Sequence, residues 1–139
     1  MKELKIATGV ETYKLNDSVE VSFNPTDAAF GEKLFNAFDT LDKRQESYKA
    51  EVGKAEGKRE LFDVVRKLDG EMRDIINDVF EFDVCNGLFG ELNVYALAEG
   101  LPLWANLLLA IMDEMDETVM REKKAMNPRI AKYTKKYHK

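Results

Sequence analysis

The chain has one cysteine, one histidine, one tryptophan and three prolines in 139 residues. Cys85 has no second thiol to pair with, so nothing in the sequence asks for an oxidising compartment. It also sits among apolar neighbours with no histidine beside it, which leaves a thiolate nucleophile without an activating base. A small buried hydrophobe is the expectation for Cys85. With His138 as the single histidine, no Ser/His/Asp set can be assembled, and the Glu-x-x-His repeats of di-metal bundles are missing. Gly87-Leu88-Phe89-Gly90 lacks the Lys-Ser/Thr that would reach phosphate and metal, and reads as a tight turn. No stretch reaches the roughly 18–20 continuous apolar residues of a membrane span. The opening MKELKIATGVETYK alternates charge with apolar residues and has no hydrophobic region of the kind a signal peptide carries. A non-enzymatic cytoplasmic protein without cofactor or metal is therefore expected.

What is present is charge, unevenly placed. The net charge is −5, with 21 basic and 26 acidic residues. Five of the basic residues fall between Arg129 and Lys139, where there is no acid, so residues 1–128 carry a net −10. An acidic body argues against general nucleic-acid binding, which needs a basic surface to neutralise phosphate. The basic tail, 129–139, either meets RNA or an acidic protein or is simply solvated. The expected organisation is one α-rich α+β domain over 1–128 followed by this tail. Its size is enough to bury about two-thirds of the surface of the unfolded chain.

Residues 2–23 read as strands. Tyr13, Leu15, Val19, Val21 and Phe23 share one face on either side of Asn16-Asp17. A two-residue turn would set Leu15 against Ser18 and Tyr13 against Glu20. A three-residue loop, Asn16-Asp17-Ser18, pairs Leu15 with Val19 and Tyr13 with Val21 and keeps one face apolar, with Asp17 or Ser18 left-handed. Leu4 and Ile6 either lengthen the first strand or form another, with Gly9 as a bend or bulge.

Asn24-Pro25-Thr26-Asp27 reads as a helix start, with Asn24 as cap and Pro25 at the first helical position. Phe30, Leu34, Phe38, Leu41, Gln45, Tyr48 and Val52 then follow at helical spacing as far as Gly53 and Gly57. A second helix runs from near Lys58 to about Phe80, with a wide apolar face from Leu61 to Phe80. Gly70 inside it suggests close approach by another backbone. The two helices should pack antiparallel.

Phe82–Met112 is the part the remainder is built to cover: in its length only Asp83, Glu91 and Glu99 are charged. Asp83 should cap a short helix VCNGLF ending at Gly90, and Asn93 another helical turn, VYALAE, ending at Gly100. Pro102 fits the first turn of a long helix over about 101–125, its core face using Trp104, Leu107, Leu108, Ile111, Met115, Thr118 and Val119. The alternative is one helix kinked at Pro102, which Gly100 disfavours. Asn127-Pro128 should end that helix, after which Ile130, Tyr133 and Tyr137 either line one face of a terminal helix or fray. An N-terminal hairpin with about three main helices and short helical turns around 83–100 is the expected fold. Asp113, Glu114, Asp116 and Glu117 read as a solvated helix face. The six methionines and the aromatics Phe80, Phe82, Phe89, Tyr95 and Trp104 offer an adaptable apolar surface wherever they are exposed.

VEVSFNPTDAAFGEKLFNAFDTLDKRQESYKAE (19–51), EMRDIINDVFEFDVCNGLFGELNVYALAEGLPLWANLLLAIMDE (71–114) and NPRIAKYTKKYHK (127–139) resemble small proteins of tailed bacteriophages and prophages, encoded between the major tail protein and the tape measure protein. These are tail assembly chaperones. The resemblance is one of composition and pattern over most of the chain, strongest in FNPTD, DVCNGLFG, the YALA–GLP–WANLLLAI run and the lysine-rich end. It contains no catalytic or ligand motif, so no functional residue is carried over. It implies a role in the host cytoplasm, absent from the mature virion: coating the tape measure protein and recruiting tube subunits of the major tail protein. Many such proteins have a second, frameshifted form, with which Lys135-Lys136 is compatible. On this reading the apolar face of 101–119, the adjoining aromatics of 80–95, or both grip the partner, with Phe89, Tyr95, Trp104, Leu108 and Ile111 as the expected contact residues. Homo-oligomers through the hairpin edge or first helix are compatible with it. A phage regulatory or anti-defence protein that inhibits a host enzyme by surface binding, and a structural component of the tail, are the competing readings.

Overall fold

A computed structural model describes residues 1–125 and 128–137. Two strands, β1 (Glu11–Leu15) and β2 (Val19–Phe23), precede α1 (Ala28–Gly53), α2 (Lys58–Phe80) and the short α3 (Val84–Phe89). A miniature hairpin, β3 (Leu97–Ala98) and β4 (Leu101–Pro102), then leads into α4 (Leu103–Lys124) and α5 (Pro128–Tyr137). The fold is α+β and mostly α, as expected.

The hairpin takes the register that keeps its apolar face together: Leu15 lies opposite Val19 and Tyr13 opposite Val21. Asn16 and Asp17 both have positive φ (49° and 59°), which lets the Ser18 amide reach the Leu15 carbonyl at 3.0 Å. Left-handed backbone thus falls at Asn16 and Asp17, not at Ser18. A two-stranded sheet is marginal alone. Here a row of rings ties it to the helices: Tyr13 stacks on Phe23 (4.8 Å between centroids), Phe23 on Phe30 of α1 (4.6 Å), and Phe30 meets Phe80 of α2 (6.0 Å). Residues 1–10 form no strand. Gly9 bends the chain at φ 70°, and the side-chain amide of Asn24 donates to the Thr8 carbonyl at 2.7 Å, leaving Leu4 and Ile6 exposed.

That bond also moves the start of α1. Asn24 Oδ1 accepts from the amide and hydroxyl of Thr26, making a turn around the buried Pro25, so Asn24 is spent outside the helix. Asp27 caps instead, accepting from the Ala29 amide at 2.9 Å. The stripe from Phe30 to Val52 then faces the core, with Leu34, Ala37 and Leu41 fully covered. α1 packs against both α2 and α4. α2 has the expected bounds and buries Leu68, Met72, Ile76 and Val79.

Asp83 caps α3 through the Asn86 amide at 3.1 Å, and Gly90 ends it at φ 58°. Gly87 is where the structure needs a glycine: a Cβ there would stand 3.0 Å from the Val19 side chain, so α3 lies directly on β2. The helical turn expected over 94–99 is absent. Asn93 makes a tight turn, accepting from the Tyr95 amide at 2.9 Å, and Glu99-Gly100 (φ 55° and 81°) closes the miniature hairpin. Pro102 then precedes α4, whose first amides donate to this segment: Leu103 to the Ala96 carbonyl and Trp104 to that of Val94. Asn127 lies outside the described residues; Ala125 closes α4, and α5 starts at Pro128.

Gly70 is not approached by any backbone. A Cβ built there meets nothing within 4 Å. Its cost to α2 is therefore uncompensated, and Gly70→Ala should stabilise the fold by about 0.5–1 kcal/mol. Urea unfolding monitored by circular dichroism should show a higher midpoint at unchanged slope; a lower midpoint would mean that the position has a neighbour.

Candidate functional site

α4 is the element on which the expected contact residues converge, and the structure divides them. Trp104 (2% exposed), Leu108 (0%) and Ile111 (4%) point into the core, and Tyr95 is covered as well. The Trp104 ring meets Phe38 edge-on at 5.5 Å between centroids, and its indole N–H donates to Gln45 Oε1 at 2.9 Å. This explains the polar residue in the middle of the α1 stripe: Gln45 satisfies the one polar atom of a buried tryptophan. Tyr95 stacks on Tyr48 at 4.0 Å and so fastens the later half of α1 to the segment that precedes α4. Burial pushes the Tyr95 phenol up to about 12 and raises that of Tyr48 too. These four residues offer nothing to a partner while the protein is folded. Phe89 alone of the five is partly exposed.

Phe89 lines a cleft of about 540 Å³ on one flank of α4. Its walls are the hairpin tip (Lys14, Leu15, Asn16), the end of α3 (Leu88, Phe89), the miniature hairpin (Ala98, Glu99) and α4 (Leu103, Asn106, Leu107, Ala110). The lining is mixed: Asn16 and Asn106 stand among the leucines and Phe89, and Lys14 and Glu99 supply one charge of each sign. The volume is within the usual range for small ligands and for a few anchoring side chains. Each wall has a local cause. The left-handed turn at Asn16-Asp17 holds the hairpin tip up, Gly87 lets α3 lie against β2, and Asn106 fixes the miniature hairpin through the carbonyls of Ala98 (3.0 Å) and Leu101 (3.5 Å).

The opposite flank of α4 forms a second, shallower groove with α1. Its volume is about 270 Å³, and Gly31, Leu34, Phe35, Met112, Met115 and Asp116 line it. Phe35 is 64% exposed, and Met120, one turn beyond Asp116, is 60% exposed. The methionines are therefore split: Met72 is wholly inside, Met112 and Met115 line this groove, and Met120 is exposed beyond it. This groove escaped the sequence reading because Phe35 lies off the core stripe of α1; an unexplained aromatic outside that stripe was the available signal.

Cys85 is fully buried, and burial pushes its thiol up to about 12, so it is neutral at physiological pH. Among the described residues no three His, Cys, Asp or Glu side chains stand close enough to hold a metal ion. Of the acidic run on α4, Glu114 takes the Thr118 hydroxyl at its carbonyl (2.8 Å). No helix among the described residues is long and apolar enough to cross a membrane. No protein-family model, curated protein or solved structure matches the chain.

Because Trp104 is a core residue, Trp104→Ala should cost about 3–5 kcal/mol by leaving a cavity and orphaning Gln45. Thermal unfolding should drop accordingly. An unchanged melting temperature would place the indole at the surface.

Proposed function

We propose that this protein is a non-enzymatic assembly chaperone of phage tails, acting in the bacterial cytoplasm and left out of the finished virion. It holds helical stretches of the tape measure protein and helps bring tube subunits of the major tail protein to them. The observation that carries this reading is the apolar cleft between α3, the hairpin tip and α4. It lies where the two segments expected to grip a partner meet at the surface, Leu88 and Phe89 from one and Leu103, Leu107 and Ala110 from the other. A cleft lined by leucines and Phe89 with polar residues among them suits an amphipathic helix, inserted as side chains one helical turn apart. The resemblance to tail assembly chaperones supplies the identity of that helix.

The test is co-expression of the tagged chain with the tape measure protein, followed by recovery and measurement of stoichiometry. Several copies per tape measure chain are expected, in soluble form. Ala110→Arg fills the cleft from an exposed helical position, so it should keep native circular dichroism and lower recovery at least roughly tenfold, as for loss of an anchoring pocket. Equal recovery by the variant would sink the cleft as the grip. Capture of one folded host enzyme at one-to-one stoichiometry, with no tape measure protein, would favour an inhibitor instead.

A further inference from the structure

The two charged residues of the larger cleft are not equivalent. Lys14, at the hairpin tip, pairs with Asp17 at 3.2 Å, so its charge is balanced on its own turn. Glu99, at the turn of the miniature hairpin, is exposed and has no ion-pair or hydrogen-bond partner for its carboxylate among the described residues. Asn106 of α4 faces that turn. Its side-chain nitrogen donates to the Ala98 carbonyl at 3.0 Å, and the Leu101 carbonyl stands 3.5 Å away on the other side of Glu99-Gly100. Two carbonyls on the nitrogen side keep the amide from turning over, because the reversed group would set oxygen against oxygen. Asn106 Oδ1 is left with no donor among the described residues, on a side chain that is half-buried in the cleft wall. This wall therefore presents a carboxylate and an amide oxygen, both acceptors, and what complements them is a cationic donor.

We infer that the cleft selects helices that carry a lysine or arginine beside their apolar anchors, the cationic head meeting Glu99 and Asn106 Oδ1. This rests on the cleft as the grip for a helix and adds the chemistry of that helix. The anchors enter among Leu88, Phe89, Leu103 and Leu107. The base comes from a position three or four residues away, the next place on the same side of a helix. Its methylene stem lies over the leucines while its head stays at the wet rim. An acid at that position would face a carboxylate and an amide whose N–H groups are turned away, so the wall rejects as well as attracts. The acidic body, net −10 over residues 1–128, acts in the same direction at longer range. Because Glu99 is exposed, the pair adds little to affinity beside the apolar anchors. Its effect is on which helix is chosen.

Fluorescence anisotropy of three labelled amphipathic peptides, titrated with the full chain, tests this. The peptides share the same pair of leucines one helical turn apart and differ at one flanking position, which is lysine, glutamine or glutamate. At low salt the lysine peptide should bind at least about fivefold tighter than the glutamate peptide, with glutamine between them. Added salt should narrow the spread. Glu99→Lys should reverse the order and Glu99→Gln should flatten it. Glu99 already sits at φ 55°, which glutamine and lysine tolerate no worse, so both variants should keep native circular dichroism. Ala110→Arg controls for the cleft and is read with the neutral glutamine peptide, whose binding it should abolish. A glutamine peptide that does not bind, or binds Ala110→Arg equally well, would overturn the cleft as a helix grip and this inference with it. If Ala110→Arg blocks that peptide while the lysine and glutamate peptides bind alike, or Glu99→Lys leaves their order unchanged, the grip stands and the selectivity for a base is overturned.

Discussion

The structure depends on a polar clamp built on α2. Asp69 and Arg73, one turn apart and both more than four-fifths covered, pair at 3.0 Å. Neither is spent on the pair alone. The second oxygen of Asp69 accepts the Val94 amide at 2.7 Å, while Arg73 donates to the carbonyls of Gly90 (2.8 Å) and Leu92 (2.6 Å). One turn further, Asn77 accepts the Cys85 amide at 3.0 Å and donates to Asp83. Segment 83–96 is regular only in the short α3, whose first amides have no helical partners, and buried amides and carbonyls without partners are costly. α2 provides those partners from a polar edge beside its apolar face. The clamp thereby delivers Val94 and Tyr95 to the core and sets the angle at which the chain enters α4.

From that entry the division of labour on α4 follows. Its central stripe, Trp104, Leu108 and Ile111, lies in the core, so the accessible surface of α4 is on its flanks. One flank borders segments held by the clamp and makes the larger cleft. The other borders α1 and makes the methionine groove. The aromatic row through Tyr13, Phe23 and Phe30 closes the remaining side by fixing the hairpin, whose tip is one wall of the larger cleft. Core and clefts thus share α4, and Leu107 belongs to both.

Much of this was legible in the residues because local rules and burial agreed. The hairpin register followed from keeping one face apolar, α2 from its wide stripe, and α3 from Asp83 and Gly90 at its two ends. Failures arose where a side chain had a distant partner. Asn24 looks like a cap until Thr8 claims its amide, so α1 starts later. Asn93 caps a turn but no helix, because Val94 is bound by Asp69 and the chain then reverses at Glu99-Gly100. Gly70 and Gly87 are indistinguishable as letters, yet only Gly87 is pressed by a neighbour. The contact residues suffered the same way: a dense apolar run says that something covers it, not whether the cover is the protein's own α1 or a partner. For Trp104, Leu108, Ile111 and Tyr95 it is the protein itself.

Native-state hydrogen exchange at the amides of Val94 and Cys85 tests the clamp most directly, because each donates to an α2 side chain and to no helix or sheet ladder. If α2 organises the irregular segment, both amides should exchange with the same free energy and denaturant dependence as Met72 and Ile76 in the core of α2, opening only when the whole domain does. Rapid exchange of Val94 and Cys85 that ignores denaturant, with α2 still protected, would show that the segment opens on its own and that the clamp does not hold the fold together.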